Sequence, residues 1–563
     1  MLRSNSVPCT VKLMTTLLKK KPGWSTVTLL IALPVALPIT AVLASLFTPS
    51  SPGWNHTLET VLPSYVFNTF ALLALVSIIT LTIGLSVGWL IATKEFPGRK
   101  IFSWLLVLPF AAPAYVVAYA YGDLLDYAGP IQTFLRDTNA WESSNYWFPA
   151  IRSLGGAAFV LGFVLYPYVY LFAFRAFSRQ TGTLTEAARS LGSSPMSTFF
   201  RVELPAARPA VAGGLALALM ETAADYGVVE FFGVPTFTSG IFRAWYAQGE
   251  YVTAIKLAAW LFVIAAMLIA FEQVVRRGSS ANPVSRDAPQ FRSRLKGSAA
   301  IAAFLTCAIP VIFGFIIPIS RLLFHALNEG DPMLGRAFSD YVENSVTVGL
   351  IACFVTTIAA LLLSYSMRLN PNIFIRFSVR TATLGYALPG LVLAIGLMGP
   401  LIEIDKWISP ILVRWFDTPP KLWITGTIAS LIFVYAARFL TIAFNSCESG
   451  MAQIHPQLDN AARSLGASPL KVLRKVHVPL LLPAIFTASL LVFIDVIKEL
   501  PATLILRPFN FETLATRAYR LASDERIGQA STASITIVVL GLIPALLVSY
   551  QTFRKKAPGQ SLN

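Results

Sequence analysis

Charge is what this sequence has least of. Only 13% of its 563 residues are Asp, Glu, Lys or Arg, against 55% hydrophobic residues and a mean hydropathy of +0.65. A soluble globular chain carries about 25% charged residues, so the composition excludes a water-solvated domain and calls for lipid around most of the surface. Cysteine is nearly as scarce. Cys9, Cys307, Cys353 and Cys447 lie far apart, which excludes a disulfide framework and supplies no thiolate metal-ligand spacing. No G-x-x-x-x-G-K-[ST] loop exists to cradle a nucleotide's phosphates, so ATP chemistry is not expected within this chain. A cleavable leader is not expected either. The basic start (Arg3, Lys12, Lys19, Lys20, Lys21) precedes an apolar run from Ser25 to Phe47. That run is too long for a signal core and has no small-residue exit, so it reads as a retained first helix.

What is present is apolar length. A spanning helix needs roughly 20 apolar residues, and by that rule the chain holds about twelve segments, among them 101–122 and 379–402. The expectation is an all-α polytopic membrane protein. The net charge of +16 is explained by topology rather than by a nucleic-acid partner. With both termini in the cytoplasm, Lys and Arg concentrate on cytoplasmic segments and the acids run the other way, as the positive-inside rule asks. The partner implied by the bulk composition is the lipid bilayer.

One polar stretch is written twice. "LTEAARSLGSSPMSTFFRVELPAARPA" (Leu184–Ala210) aligns without a gap with "LDNAARSLGASPLKVLRKVHVPLLLPA" (Leu458–Ala484). At the same offset Glu221 meets Asp495, Asp225 meets Glu499 and Arg243 meets Arg517. Six helices separate the copies, so both face the cytoplasm, and the halves form two parallel six-helix repeats about a pseudo-two-fold along the membrane normal. The organisation read from this is a basic tail (1–24), a first half (25–275) with its polar loop at 184–205, and a linker (276–298). A second half (299–553) with its loop at 458–479 and a short tail (554–563) follow. The linker, rich in Ser and basic residues, is expected to be a flexible cytoplasmic tether.

Each loop reads as helix, glycine turn, helix. Gly192 and Gly466 fall where a helix end needs a left-handed residue, and Ser194-Pro195 and Ser468-Pro469 restart the chain as an N-cap followed by a first-turn proline. A single such knob fits an interfacial amphipathic pair of helices; two on one face offer docking points to a two-fold symmetric partner. The "EAA---G" pattern ending in "LP" resembles the EAA loop of permease subunits of binding-protein-dependent ABC importers. The resemblance implies that each loop inserts into a groove of a cytoplasmic ABC ATPase, two copies in all, which hold the ATP and Mg that this chain does not bind. The contacts it implies are Glu186, Ala187, Ala188 and Gly192 in the first copy and Asn460, Ala461, Ala462 and Gly466 in the second. There Asn460 replaces the acid and His477-Val478-Pro479 replaces the "LP" ending.

The apolar helices also carry acids. Glu221 and Asp225 stand at i and i+4, as do Asp495 and Glu499, which places each pair on one helical face. A carboxylate near the bilayer centre costs on the order of 2.5–3.5 kcal/mol, so such groups face a bundle interior or a water-filled cavity. Hard cations prefer carboxylate and phenolate oxygens, and these four acids are candidate transient ligands for a cation on its way through. The alternative is that they pair with Lys498, Arg243 or Arg517 and lock the helices together. The tyrosines of "APAYVVAYAYGDLLDY" and "LYPYVYL" fit an aromatic interface belt, with Tyr115 and Tyr119 kept as substrate-path candidates.

"LPFAAPAYVVAYAYGDLLDYAGPIQ", "METAADYGVVEFFGVPTFTSGIFRAW" and "DVIKELPATLILRPFNFETLATRAY" resemble the ferric-iron branch of these permeases, in which both halves are fused. The likeness implies import across a bacterial inner membrane of iron delivered by a periplasmic binding protein. Relatives carrying thiamine or aminophosphonate share the layout, and an ion-gradient-driven carrier shares the helix count, although such a carrier has no ATPase for twin loops to dock.

Overall fold

The computed structural model describes residues 22–142, 146–179, 188, 190–277, 292–385, 388–416 and 422–554. It is helical almost throughout. In the first half, α1 (Pro22–Ala44) and α2 (Leu62–Thr93) are followed by a broken segment of Arg99–Leu105, Leu108–Ala111 and α3 (Ala114–Leu125). Then come α4 (Leu154–Arg179), α5 (Leu204–Ala224), the short α6 (Gly227–Phe231) and α7 (Tyr251–Arg277). The second half runs α8 (Gly297–Val311), α9 (Ile317–Asn328), α10 (Arg336–Leu369), α11 (Ile373–Ala382), α12 (Gly390–Phe416) and α13 (Ile428–Ala452). It ends with α14 (Pro456–Ser464), α15 (Val478–Ile497), α16 (Pro501–Leu506), α17 (Leu514–Ser523) and α18 (Ile527–Arg554).

Ten described helices are long and apolar enough to span a bilayer, or eleven if the pair Arg99–Ala111 and Ala114–Asn139, bent by 89°, is one span. Of the roughly twelve expected segments, two depart from plain spans, at matching places. Segment 101–122 is the bent pair, where Pro109 and Pro113 interrupt the hydrogen-bond ladder. Segment 379–402 is likewise divided, between α11 and α12, and α12 carries Glu403, Asp405 and Lys406 toward its far end.

The internal repeat extends into backbone detail. Helix α10 lies at the register of α2, and a π-helical turn occurs at Phe199–Glu203 and again at the equivalent Leu473–His477. What the repeat does not reveal is an exchange. The first helix of each half reaches the other half: α1 lies mainly against α10, α11 and α12 and also touches α7, while α8 and the turn after it lie against α2 and α4, and α9 lies between α3 and α18. The approach is close. A side chain at Gly396 of α12 would come within 2.6 Å of the Pro38 carbonyl oxygen of α1, so the glycine is what lets the two backbones meet.

The linker reading is corrected at its downstream end. Ser293–Arg294 (β2) pairs in parallel with Lys94–Glu95 (β1) at the foot of α2. Lys94 Nζ donates to Ser293 Oγ at 2.9 Å, and the Leu295 amide donates to the Glu95 carbonyl, also at 2.9 Å. The tether is therefore docked from Arg292 onward, because backbone groups at the end of α2 need partners. Its residues 278–291 lie outside the described residues.

Candidate functional site

The four acids singled out in the sequence line one cavity of about 110 Å³ between the halves. Phe110, Tyr115, Tyr168, Arg438, Phe439 and Lys498 share its wall. Their arrangement differs from two helical i,i+4 pairs. Helix α5 stops at Ala224 and α15 at Ile497, one or two residues before the second acid of each pair. Asp225 then accepts from the Val228 and Val229 amides at 3.0 and 3.2 Å. Glu499 accepts from the Ala502 and Thr503 amides at 3.0 and 3.1 Å, and from Thr503 Oγ1 at 2.8 Å. Each carboxylate thus caps the short helix that follows it, satisfying amides that a buried helix start would otherwise leave orphaned. Continuing the helix would forfeit those bonds, which is why the i,i+4 reading fails.

The acids consequently fall into two kinds. Asp225 and Glu499 hold the break, whereas Glu221 and Asp495 remain 27% and 17% exposed at their side chains and face the cavity. Asp495 pairs with Lys498 at 2.7 Å, as one of the readings of the sequence anticipated. Arg243 and Arg517 pair with none of the four. Arg517 instead grips Asp331 through two bonds of 2.9 and 2.8 Å, and Arg243 lines a separate small cavity with His56 and Gln248. Among the described residues no three acidic, His or Cys side chains stand close enough together to hold a metal ion.

The residue that the sequence reading missed is Arg438. It sits mid-way along α13, 7% exposed, with Nη1 2.9 Å from Glu499 and Nη2 3.7 Å from Glu221 of the other half. An arginine inside the apolar run 424–446 was the available signal. By the repeat its first-half counterpart is Val164, another wall residue, so nothing in the first half flagged it.

Five of the seven tyrosines in those stretches form no belt. Tyr115, Tyr119, Tyr121, Tyr166 and Tyr170 are all at most 5% exposed, packed inside the bundle, because α3 is covered by α4, α6 and α9 and α4 by α2 and α5; Tyr127 is 53% exposed. Tyr115 reaches the cavity wall. Tyr119, a turn away, packs its ring on Phe231 and Tyr115 instead. On the side of the cavity away from the loops, Tyr226 and Tyr519 join the halves through a 2.8 Å hydroxyl contact.

The loops take the geometry their sequence dictates. Gly192 and Gly466 have φ of +84° and +78°. Ser194 and Ser468 accept from the amides of Ser197 and Lys471. Leu191 and Leu465, just before each glycine, are each 88% exposed, and no protein atom lies within 4 Å of where a Cβ would stand on either glycine. Ala188 begins the described part of the first knob; Glu186 and Ala187 lie outside the described residues. In the second copy Asn460, Ala461 and Ala462 ride on α14. That copy carries its own anchor. Asp459 accepts from His477 Nε2 at 2.5 Å and from Arg368 Nε and Nη2 at 2.8 and 2.7 Å. The equivalent of His477 in the first copy is Glu203, which accepts from Trp89 Nε1 at 2.6 Å.

Comparison with known proteins agrees with this architecture. The family described as "Binding-protein-dependent transport system inner membrane component" matches twice, over residues 81–277 and 356–556. The chain is 24% identical to the Fe(3+)-transport system permease protein FbpB 2 of Haemophilus influenzae, over 95% of this chain and 100% of that protein. It is also 24% identical to the ferric transport system permease protein FbpB of Actinobacillus pleuropneumoniae, over 78% of this chain and 64% of that one. A putative 2-aminoethylphosphonate transport system permease protein PhnV of Salmonella typhimurium is 25% identical over 46% of this chain and 88% of its own. With the family's module present twice in sequence and the fold built as two repeats, the chain belongs to the inner-membrane permeases of binding-protein-dependent transport systems, in their fused form.

Proposed function

We propose that this permease imports ferric iron, handed over by a periplasmic binding protein and driven by two cytoplasmic ATPase subunits seated on the two loops. The observation that carries the reading is end-to-end likeness to a ferric-iron permease over 95% of the chain, joined to a cavity between the halves lined by four carboxylates and a buried tyrosine. ATP and Mg belong to the ATPases, and both termini lie in the cytoplasm, on the side of the loops. Closure of the ATPases on ATP draws the two knobs together and parts the halves on the far side. There the Tyr226–Tyr519 contact breaks and the cavity receives its cargo. Hydrolysis reverses the motion. Glu221, Asp225, Asp495 and Glu499 serve as transient oxygen ligands for the passing ion, with Tyr115 beside them and Tyr119 supporting the wall.

The test is uptake of labelled ferric iron, labelled thiamine and labelled aminoethylphosphonate by cells with and without this chain under iron limitation. Loss of iron uptake alone supports the reading. Arg438 and Lys498 on the cavity wall favour aminophosphonate as the second reading, since both can meet a phosphonate, and loss of that uptake instead would replace iron as the cargo.

A further inference from the structure

The downstream end of the linker carries charge onto the foot of α2. Pairing of β2 with β1 sets Arg292, Arg294 and Lys296 beside Lys94, Arg99 and Lys100. Glu95 is the acid among them, 3.5 Å from Arg99 Nη1. Arg99 and Arg292 reach the same helix end through successive carbonyls. Arg99 Nε donates to Ile91 at 2.9 Å and Arg292 Nε to Ala92 at 3.3 Å. The two guanidinium groups are close enough to act on one another's charge. Lys94 and Arg99 are only 7% and 9% exposed, so part of this charge is shielded from water, where repulsion is stronger.

A helix C-terminus attracts cations, which accounts for Arg99 and Arg292. The positive-inside rule places basic residues on the side of the loops. Neither accounts for a strand that brings Arg294 and Lys296 onto a spot already crowded with cations. At the foot of α10 no strand docks among the described residues, and Arg368 there has Asp459. The surface next to the cluster is apolar. The helix Arg99–Leu105 and α8 begin side by side here, joined by Phe102 and Phe304, edge to face at 5.0 Å. Ile101, Trp104, Ile301 and Leu305 are exposed on the same two helices, and α8 opens a membrane span.

We propose that this corner binds an anionic phospholipid. The cations of β1, β2 and their flanks share its phosphate, and its acyl chains lie on the exposed apolar faces of Arg99–Leu105 and α8. A ligand that binds the docked strand and not the undocked one stabilises docking by mass action; in neutral lipid the repulsion among the cations opposes it. The effect reaches the first loop. Lys94 Nζ lies 4.7 Å over the Trp89 ring. Trp89 in turn touches the π-helical turn of that loop, donating to Glu203 at 2.6 Å and meeting the Phe199 ring edge to face at 5.4 Å. The lipid thereby steadies the root of one knob and not of the other, whatever the cargo.

The test uses the purified full chain in nanodiscs of phosphatidylcholine, with or without phosphatidylglycerol, read by hydrogen exchange. Phosphatidylglycerol should slow exchange over 293–296, where the Leu295 amide is bonded to the Glu95 carbonyl, by roughly tenfold, about 1.4 kcal/mol. An unchanged rate overturns the proposal. The turn 370–375 at the foot of α10 should not respond; equal slowing there would reduce the effect to general surface charge and overturn the site. Lys100, Arg294 and Lys296 are exposed, and their side chains make no ion pair or hydrogen bond among the described residues. Lys100→Gln, Arg294→Gln and Lys296→Gln together should abolish the response to phosphatidylglycerol. In neutral lipid this variant should exchange no faster than wild type over 293–296, since repulsion has been removed. Faster exchange would mean that these side chains hold the strand themselves, and would refute the lipid's role. Inorganic phosphate added to neutral discs should give little protection; protection equal to that from phosphatidylglycerol would make the occupant a free ion and overturn the lipid assignment.

Discussion

Asp459→Asn is the substitution for which the structure makes the firmest quantitative statement. The Asp459 carboxylate, 12% exposed, gathers three donors from two other elements: His477 at the base of α15 and Arg368 at the end of α10. Arg368 extends the clasp, donating to the Met451 and Ile454 carbonyls at 2.6 and 2.9 Å. Burial pushes the Asp459 carboxyl up, but the bonds from His477 and Arg368 outweigh it and hold the group below the usual carboxylate range. A carboxylate with a depressed folded value contributes stability that is fully present above its unfolded value of about 3.9 and is lost only as pH falls through the folded one. The clasp is therefore intact at neutral pH. Asparagine keeps the shape but loses the charge and turns an amide donor toward donors. Breaking one partner of a buried pair costs about 3–5 kcal/mol, and taking the low end because the site is partly exposed, about 3 kcal/mol raises local opening by roughly a hundredfold. Hydrogen exchange of the purified complex should show that acceleration over residues 456–477 and not over 190–203, since in the first half Thr185 and Glu203 stand at the places of Asp459 and His477. Partner ATPase activity should survive while uptake falls. Unchanged exchange in the second loop, or equal acceleration in both, would refute the reasoning.

Other expectations follow from the same structure. A Cβ added at Gly192 or Gly466 meets no atom within 4 Å, but leucine at both must hold a left-handed backbone at a cost of about 1–2 kcal/mol each. It should release the ATPase in co-purification, and full uptake by the double variant would remove the docking assignment. Neutralising Glu221 and Asp495 together should lower ferric uptake at least about tenfold, a barrier change of about 1.4 kcal/mol, with the ATPase still bound; failure to assemble would make the acids structural. Asp331→Asn removes one side of the buried bidentate Arg517 pair and should cost about 3–5 kcal/mol, read as a lower Tm of the purified chain. Burial raises the Asp331 carboxyl, but the Arg517 bonds lower it further. Its contribution should accordingly persist from neutral pH down to about 4 and disappear only below the unfolded value. A Tm difference between wild type and Asp331→Asn that shrank already near pH 6 would contradict that sign.

How much of this was legible beforehand depended on whether the signal was local. The glycine turns and proline restarts of the knobs were readable, since a positive φ needs its glycine and a first-turn proline its cap. The repeat was readable because polar residues at a fixed offset do not recur by chance in apolar helices. The break before Asp225 and Glu499 was hidden, because a carboxylate can continue a helix or cap the next one and only the tertiary surroundings choose. The tyrosines misled for the same reason: an interface belt and a packed interior use the same side chain, and only the covering helices distinguish them. Arg438 was overlooked because it breaks the symmetry that served as the guide. Where the halves agree, the repeat shows how the bundle is built; where they disagree, at Arg438 against Val164 and His477 against Glu203, it marks what each half does alone.

The exchange of first helices has a consequence for how the protein is made. Helix α1 leaves the ribosome first, yet α10, α11 and α12, on which it packs, are synthesised only after the whole first half and the linker. During that interval α1 waits in lipid with only α7 of its final neighbours made. Its sequence is suited to waiting, since it contains no charged residue at all, and α8, the equivalent helix of the second half, has none either. The order of synthesis thus selects which helices can be exchanged. It also means that a chain cut at the linker must trade helices between its two fragments before either has a complete interior.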